Sequence, residues 1–395
     1  MNATLTIKNF GPIKEAELDL KRFNVFIGKQ GEGKSTIAKL IAIFHNLTFF
    51  YTNDKLSLFS FYNIQNYFQE YSYLKFENKY YCIECVDKKF QVIAKGDFKL
   101  LENVITGKLD NSYFENLLNA LDEHFGETTG LQPSESIEML KRIAEFKQQI
   151  NSLLRPLNSQ YIPVERIFIS MISNALYGMA TNDISLPKFI TAFGNEFSKA
   201  RSEIKELDIN SLGITYKFEN GLDKIYKENK AINLSESASG IQSLIPMALV
   251  MNYLNEQIKA RELEYNFIIE EPELNLYPTT QKYLLGFIME KCAVRQNGFT
   301  LTTHSPYILS CLNNLLFAFR VKSKYPNSEE QIQTIIRKEH WINPEEFNAF
   351  YVADGTARTI FNRESGLIAE NELDDISDDL AGERDQLMEI YKTKK

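Results

Sequence analysis

Four groups of residues have the types and spacing to do chemistry. Gly28-Lys29-Gln30-Gly31-Glu32-Gly33-Lys34-Ser35 fits G-x-x-x-x-G-K-[ST], with an apolar strand pattern before it and a helical pattern after it. Glycines at 28, 31 and 33 let the backbone curl until several N–H groups point at one centre, which is how a protein cradles the β- and γ-phosphates of a nucleotide. The helix that follows adds its positive N-terminal end. Lys34 adds a point charge, and the Ser35 hydroxyl can ligate Mg²⁺. The loop implies nucleotide binding without saying what the nucleotide drives.

The second group is Glu270-Glu271-Pro272-Glu273, directly after the apolar run Phe267-Ile268-Ile269. α/β sheets place their chemistry at the carboxyl ends of buried strands. Glu270 is placed to hold the magnesium shell, and Glu271 to orient or deprotonate an attacking water. A charged helix start is the plainer alternative, because acidic residues favour first turns. In the third group, Thr300 to Pro306, a strand again ends in a polar residue, His304. A neutral imidazole can donate one hydrogen bond to a phosphate and register its loss. In the fourth, Ser239-Gly240 opens an apolar helix that runs to about Leu254. A Ser/Gly turn feeding a helix is a second anion-binding end, although serine is also an ordinary cap.

Other elements must position these groups. Alternation predicts strands around Leu5–Ile7, Ala16–Leu20 and Phe23–Ile27, with Gly11-Pro12 turning between the first two. Thr36 to Phe44 reads as a helix. The aromatic-rich stretch with Phe49, Phe50, Phe59 and Tyr62 reads as buried helical core rather than a base-stacking surface. Lys79 to Ala94 reads as strands, and the patterns at 134–154 and 187–206 as helices of ordinary length. Asn220-Gly221 between two alternating runs predicts a tight hairpin. The tail after Gln331 carries strand, turn and helix signals. Asp374, Asp375, Asp378 and Asp379 lie there on what reads as a solvated helical face.

Composition narrows the classes. The protein has 395 residues, 44% of them hydrophobic, with 28 Phe and 20 Tyr, so it can bury a core and is not disordered. A net charge of −8 argues against wrapping nucleic acid by bulk charge, while a local basic groove stays open. Four cysteines at this length exclude a disulfide scaffold, and Cys82-x-x-Cys85 lies in a strand-like run without two further ligands to make a zinc site. No signal peptide opens the sequence, and no apolar run reaches the roughly 18 residues of a membrane helix, so a cytoplasmic location is expected.

Taken in order, these motifs resemble the ABC-type ATPase head. Gly28 to Thr36 matches its stricter phosphate loop, G-x-x-G-x-G-K-S-T. Ser239-Gly240 resembles its signature motif, Leu274-Asn275-Leu276 falls where its D-loop lies, and His304 falls where its switch histidine lies. Glu270 to Pro278 and Thr303-His304-Ser305-Pro306 resemble the overcoming-lysogeny (OLD-like) ATPases and related stand-alone ATPases of bacterial anti-phage systems, of the Septu or PARIS kind. Tyr161-Ile162-Pro163-x-Glu165-Arg166 and Tyr351-Val352-Ala353-Asp354-Gly355 look like segments of the same proteins. The resemblance implies an α/β fold, an ABC-type P-loop head with a mixed sheet and flanking helices. The head is expected over 1–45 and 210–330, with a mainly helical insert over 46–209 and a small α+β extension over 331–395.

The resemblance further implies ATP and Mg²⁺ as cofactors, with Gly28, Gly31, Gly33, Lys34, Ser35, Thr36, Ser239 and Gly240 on the nucleotide. Ser35 and Glu270 would hold the metal, and Glu271 and His304 would be catalytic. Arg166 is either a polar group approaching the nucleotide or a structural salt bridge. Such heads form head-to-tail homodimers, or higher oligomers, around two ATPs. The insert sustains no long heptad run, which argues against the long-armed chromosome machines. The 85 residues after Ser310 lack the Asp-x-Asp of a Toprim nuclease, so no nuclease is expected in this protein. The implied role is an ATP-gated regulator of a separately encoded effector, such as an HNH or Toprim nuclease. A DNA-binding repair ATPase similar to the recombination-mediator heads, and an ATP-binding scaffold without turnover, stay open as rivals.

Overall fold

Strand β3 (Phe23–Ile27) is buried at every position and feeds directly into helix α1 (Lys34–Phe44) through the phosphate loop. The computed structural model describes residues 2–46, 48–96, 98–99, 158–172, 186–228, 230–261, 264–293, 297–369 and 372–393. The flanking strands are β1 (Ala3–Phe10) and β2 (Ile13–Leu20), β4 (Phe68–Asn78), β5 (Tyr81–Val86) and β6 (Lys89–Ala94), and β7 (Ser159–Ile162). Farther along come β8 to β11 (Glu206–Ile209, Ile214–Glu219, Leu222–Lys227, Lys230–Asn233), then β12 (Asn266–Glu270), β13 (Gly298–Thr303), β14 (Phe347–Ala353) and β15 (Thr356–Thr359).

One sheet of eleven strands runs in the order β6-β5-β4-β1-β2-β15-β14-β3-β13-β12-β7. Its character changes across its width. β7, β12, β13, β3 and β14 pair in parallel, whereas β2, β1, β4, β5 and β6 pair antiparallel. The sequences fit this division. β3, β12 and β13 are short apolar runs buried at all positions, as strands covered on both faces must be. β1 and β2 alternate, burying Leu5, Ile7, Ala16 and Leu18 while Lys8 and Glu15 meet solvent. Because β7, β12, β13 and β3 are parallel, their carboxyl ends emerge at one edge.

Among the described residues the longer helices are α1, α2 (Arg166–Ile172), α3 (Lys188–Glu203), α4 (Ser239–Arg261), α5 (Pro278–Ala293), α6 (Pro306–Lys324) and α7 (Glu372–Thr393), with shorter helices between. α1 packs on β12 and β13, and α4 packs on α2 and α3. A second sheet, β11-β10-β9-β8, contains the expected hairpin: Glu219 faces Leu222 across Asn220 and Gly221, both at positive φ. It is tied to α3 by Asp223, which accepts from Tyr216 at 2.6 Å and Arg201 at 2.7 Å. Among the described residues no helix is long and apolar enough to cross a membrane.

Two expected boundaries differ from the structure. The span 46–209 is not simply a helical insert, because β4, β5, β6 and β7 are strands of the main sheet. β4 is 11 residues long and completes the edge of β1, whose backbone groups would otherwise be unpaired. The span 331–395, expected as a small α+β extension, also contributes to the main sheet. β14 lies beside β3 in the middle of the sheet, with Phe26 and Phe350 stacked at 5.1 Å. β3 needs a partner on its second side, and a segment far along the sequence supplies it. The aromatic stretch is core as expected, with Phe49, Phe50, Phe59 and Tyr62 all buried. Cys82 and Cys85 are free and buried on β5, between β4 and β6. The helix expected at 134–154 lies outside the described residues, and so do the side chains of Asp374, Asp375, Asp378 and Asp379.

Candidate functional site

The phosphate loop is held open by glycines that need positive φ: Gly28 at 152°, Gly31 at 86° and Gly33 at 106°. Gly28 is also a close approach, since a Cβ there would lie 2.1 Å from the Val352 carbonyl oxygen of β14. Val352 and its neighbours therefore brace the loop from behind, and Glu32 accepts a hydrogen bond from Asp354 N at 2.7 Å. Lys34 folds back inside the loop. Its ammonium donates to the carbonyls of Gly28 at 2.7 Å and Lys29 at 2.8 Å. Burial pulls its pKa below the ordinary lysine value, while Glu271, Glu273, Glu32 and Glu270 pull it back up. No side chain caps the start of α1 at Lys34, and its first turn holds no acidic residue. Its N–H groups and positive end thus face the loop unopposed.

Glu270 closes β12 with only 2% of its surface exposed. Tyr161, at the end of β7, donates its hydroxyl to Glu270 Oε1 at 2.7 Å. Burial raises the Glu270 pKa above the usual carboxylate range, while Lys39 and the hydroxyls of Tyr161 and Ser35 favour the ionised form. Ser35 and Glu270, the two residues expected to hold the metal, therefore lie side by side.

Glu271 adopts φ 42°, a left-handed conformation rare for a residue of its size. The turn is fixed on both sides. Glu271 N donates to Thr302 O at 2.9 Å, and Glu271 O accepts from Arg166 at 2.6 Å. The twist carries the carboxylate to His304, whose Nε2 lies 3.2 Å from Oε1. That hydrogen bond holds the Glu271 pKa below the usual carboxylate value, against the effect of partial burial. His304 is in turn anchored by Glu273, which accepts from Thr303 Oγ1 at 2.6 Å and His304 N at 2.9 Å.

Among the described residues Arg166 forms no salt bridge, and its donors are taken up by backbone carbonyls. It is fully buried and donates to four carbonyls: Ser243, Pro163, Glu270 and Glu271, at 3.1, 3.0, 2.7 and 2.6 Å. Burial lowers its pKa to about 10, so it stays charged at neutral pH. The guanidinium fork is a clamp joining β7, α4 and the acidic end of β12.

Ser239 and Gly240 begin α4 as expected, with Ser239 exposed and Gly240 buried. Their neighbour is the 271–276 turn rather than the phosphate loop: a Cβ on Gly240 would lie 2.6 Å from Asn275 O. Gln242 steadies the approach by donating to the carbonyls of Ser235 at 2.9 Å and Ser237 at 2.8 Å.

The structure thus joins Lys34, Ser35, Glu270, Glu271 and His304 at one sheet edge. Sequence reasoning missed Tyr161, Glu273 and the clamp made by Arg166. Each relies on at least one partner 30 to 109 positions away, and no local pattern encodes that. The residues present fit a magnesium nucleotide. The N-terminus of α1 is open, the Ser35 hydroxyl and the Glu270 carboxylate are adjacent, and Glu165 and Glu273 each keep a buried carboxylate oxygen without a hydrogen-bond partner.

Comparison with solved structures finds the head of an SMC protein bound to the C-terminal winged-helix domain of ScpA, at 10% identity over 90% of this protein and 96% of that one, with a TM-score of 0.43. An SMC head domain from Thermotoga maritima is similar at 10% identity over 91% and 98%, TM-score 0.39. The recombination mediator protein RecF of the RecFOR pathway is similar at 13% identity over 91% and 98%, TM-score 0.34. No curated protein matches the sequence. The family described as AAA ATPase domain matches residues 1–108 and 87–309. That match spans well over half of the sequence and includes the phosphate loop, both carboxylates and His304, so the protein belongs to the AAA ATPase domain family.

Proposed function

We propose that this protein binds and hydrolyses ATP, and that the nucleotide switches it between two states that regulate a separate effector. The observation that carries the hydrolytic reading is the Glu271–His304 pair at 3.2 Å, beside a phosphate loop that presents Lys34 and Ser35. A protein that merely stored ATP would have no use for a carboxylate held ionised at that edge, nor for a left-handed turn to aim it.

The residues divide the work. Loop N–H groups and the start of α1 receive the phosphates. Lys34 exchanges its carbonyl partners at Gly28 and Lys29 for phosphate oxygens. Ser35 and Glu270 would hold Mg²⁺, which would supply charge neutralisation for the transferred phosphate. Glu271 orients the attacking water and accepts its proton. His304 holds Glu271 ready until nucleotide binds and then turns its one N–H to the γ-phosphate, and Glu273 keeps His304 in place. The exposed Ser239 at the start of α4 supports a head-to-tail homodimer, in which it meets the phosphate loop of a second copy across ATP. Closing and opening of that dimer is the switch. The regulator role, with an HNH or Toprim nuclease as effector, rests on the resemblance of Glu270 to Pro278 and Thr303 to Pro306 to defence ATPases.

Glu271→Gln tests the reading. ATP binding should be retained, turnover should fall roughly 10²- to 10⁴-fold, and a dimer should accumulate in light scattering with ATP. Wild-type turnover in this variant sinks the assignment of the base. Mass spectrometry of what co-purifies with the trapped variant separates a toxic effector from a DNA-stimulated repair ATPase, which would come alone or with duplex DNA.

A further inference from the structure

We propose that Tyr161 is a positioning residue that selects which oxygen of Glu270 faces the divalent cation of the bound nucleotide. The proposal deepens the nucleotide reading above and rests on it. The terminal torsion of a glutamate turns easily, so a lone carboxylate samples many presentations to a metal. Here that freedom is removed. Tyr161 donates to Oε1 at 2.7 Å, and the Ser35 hydroxyl interacts with the same carboxylate, so Tyr161 biases the cation towards Oε2. The backbone beneath is fixed as well, because Glu270 O accepts from Arg166 at 2.7 Å and β7 pairs with β12 at Tyr161↔Ile268 and Ile162↔Ile269.

The phenol itself cannot swing. Tyr161 is buried, with its ring edge-on to Tyr62 at 5.2 Å and to Phe189 at 5.9 Å. Phe189 carries the Lys39 ammonium over its face at 4.8 Å. A phenol also suits the task chemically. It fixes a carboxylate oxygen through a neutral donor, so the full negative charge stays available to the cation. An arginine or lysine in its place would fix the oxygen and cancel the charge. The three rings belong to separate stretches of sequence, at Tyr62, Tyr161 and Phe189, so the metal carboxylate is braced by residues outside the phosphate-loop and carboxylate motifs.

The test is Tyr161→Phe, which keeps the ring and removes the hydroxyl. Calorimetry measures ATP affinity in EDTA and in a Mg²⁺ series, and Mn²⁺ electron paramagnetic resonance measures cation affinity in the ternary complex. Loss of an outer-shell partner of a metal ligand weakens metal affinity about 10- to 100-fold. That loss is expected here, with cation-free ATP affinity unchanged. An unchanged cation dependence overturns the proposal. So does an equal fall in both affinities, which would mark Tyr161 as packing alone. Wild-type protein whose ATP binding ignores Mg²⁺ would instead overturn the nucleotide reading on which it rests.

Discussion

Replacing Arg166 by Met keeps the length and apolar bulk of the stem and removes every donor. Four carbonyls lose a charge-assisted bond, those of Ser243, Pro163, Glu270 and Glu271. Hydrogen bonds to charged groups are worth about 1.5–3 kcal/mol each. Glu271 O keeps a second donor, Leu274 N at 3.0 Å, so the four cannot simply be added. Taking only the two carbonyls of the acidic strand end at the low value gives a loss of roughly 3 kcal/mol. Function should suffer beyond stability. Glu271 is held at φ 42°, a conformation that costs about 1–3 kcal/mol, and the clamp on its carbonyl is one of the contacts that hold it there. Once released, the carboxylate moves away from His304, and a displacement of about 1 Å costs on the order of 100-fold in rate. Urea denaturation and ATP turnover of Arg166→Met and Arg166→Lys measure both effects. Lys can satisfy only part of the fork and should fall between. A variant within about 0.5 kcal/mol of wild type, with unchanged turnover, refutes the clamp. Weakened cation-free ATP binding without a stability change would return Arg166 to the nucleotide.

His45, at the end of α1, is buried neutral. Asn266 Nδ2 lies 3.3 Å from its Nδ1. Burial drives its pKa from 6.5 to about 3. The unfolded state therefore binds a proton below pH 6.5 that the folded state refuses. Stability is full above that pH and declines as pH falls towards 3. Between pH 7.5 and 5.5 this one group should remove about 1.4 kcal/mol in chemical denaturation, and His45→Phe should remove that share of the slope. An equal slope in both proteins would show that His45 is not the cause. Gly28→Ala should cost on the order of 3 kcal/mol and abolish ATP binding, since its Cβ meets a backbone oxygen at 2.1 Å. Gly31→Ala meets nothing within 4 Å but keeps the strain of φ 86°, so it should cost about 1 kcal/mol and less than Gly28→Ala, as thermal melts of the pair would show.

The sequence by itself determined the local parts. The phosphate loop, the acidic end of β12, His304 just past the end of β13, the start of α4 and the hairpin at Asn220-Gly221 are each written in a few adjacent residues. Their chemistry depends on spacing along one strand, turn or helix, and the structure contains them there. Tertiary structure decided what joins them. That β14 would lie beside β3 and brace Gly28 cannot be read from either segment, because any short apolar strand can pair with another. The same holds for β4 to β6, which alternate like strands but carry no mark of which sheet they enter. Arg166 and Tyr161 illustrate the limit most clearly. Both lie in a recognisable segment, yet a guanidinium that clamps carbonyls and one that meets a phosphate have the same sequence signature. Only the parallel register of β7 against β12 places Arg166 under Glu270 and Glu271 and Tyr161 on the Glu270 carboxylate.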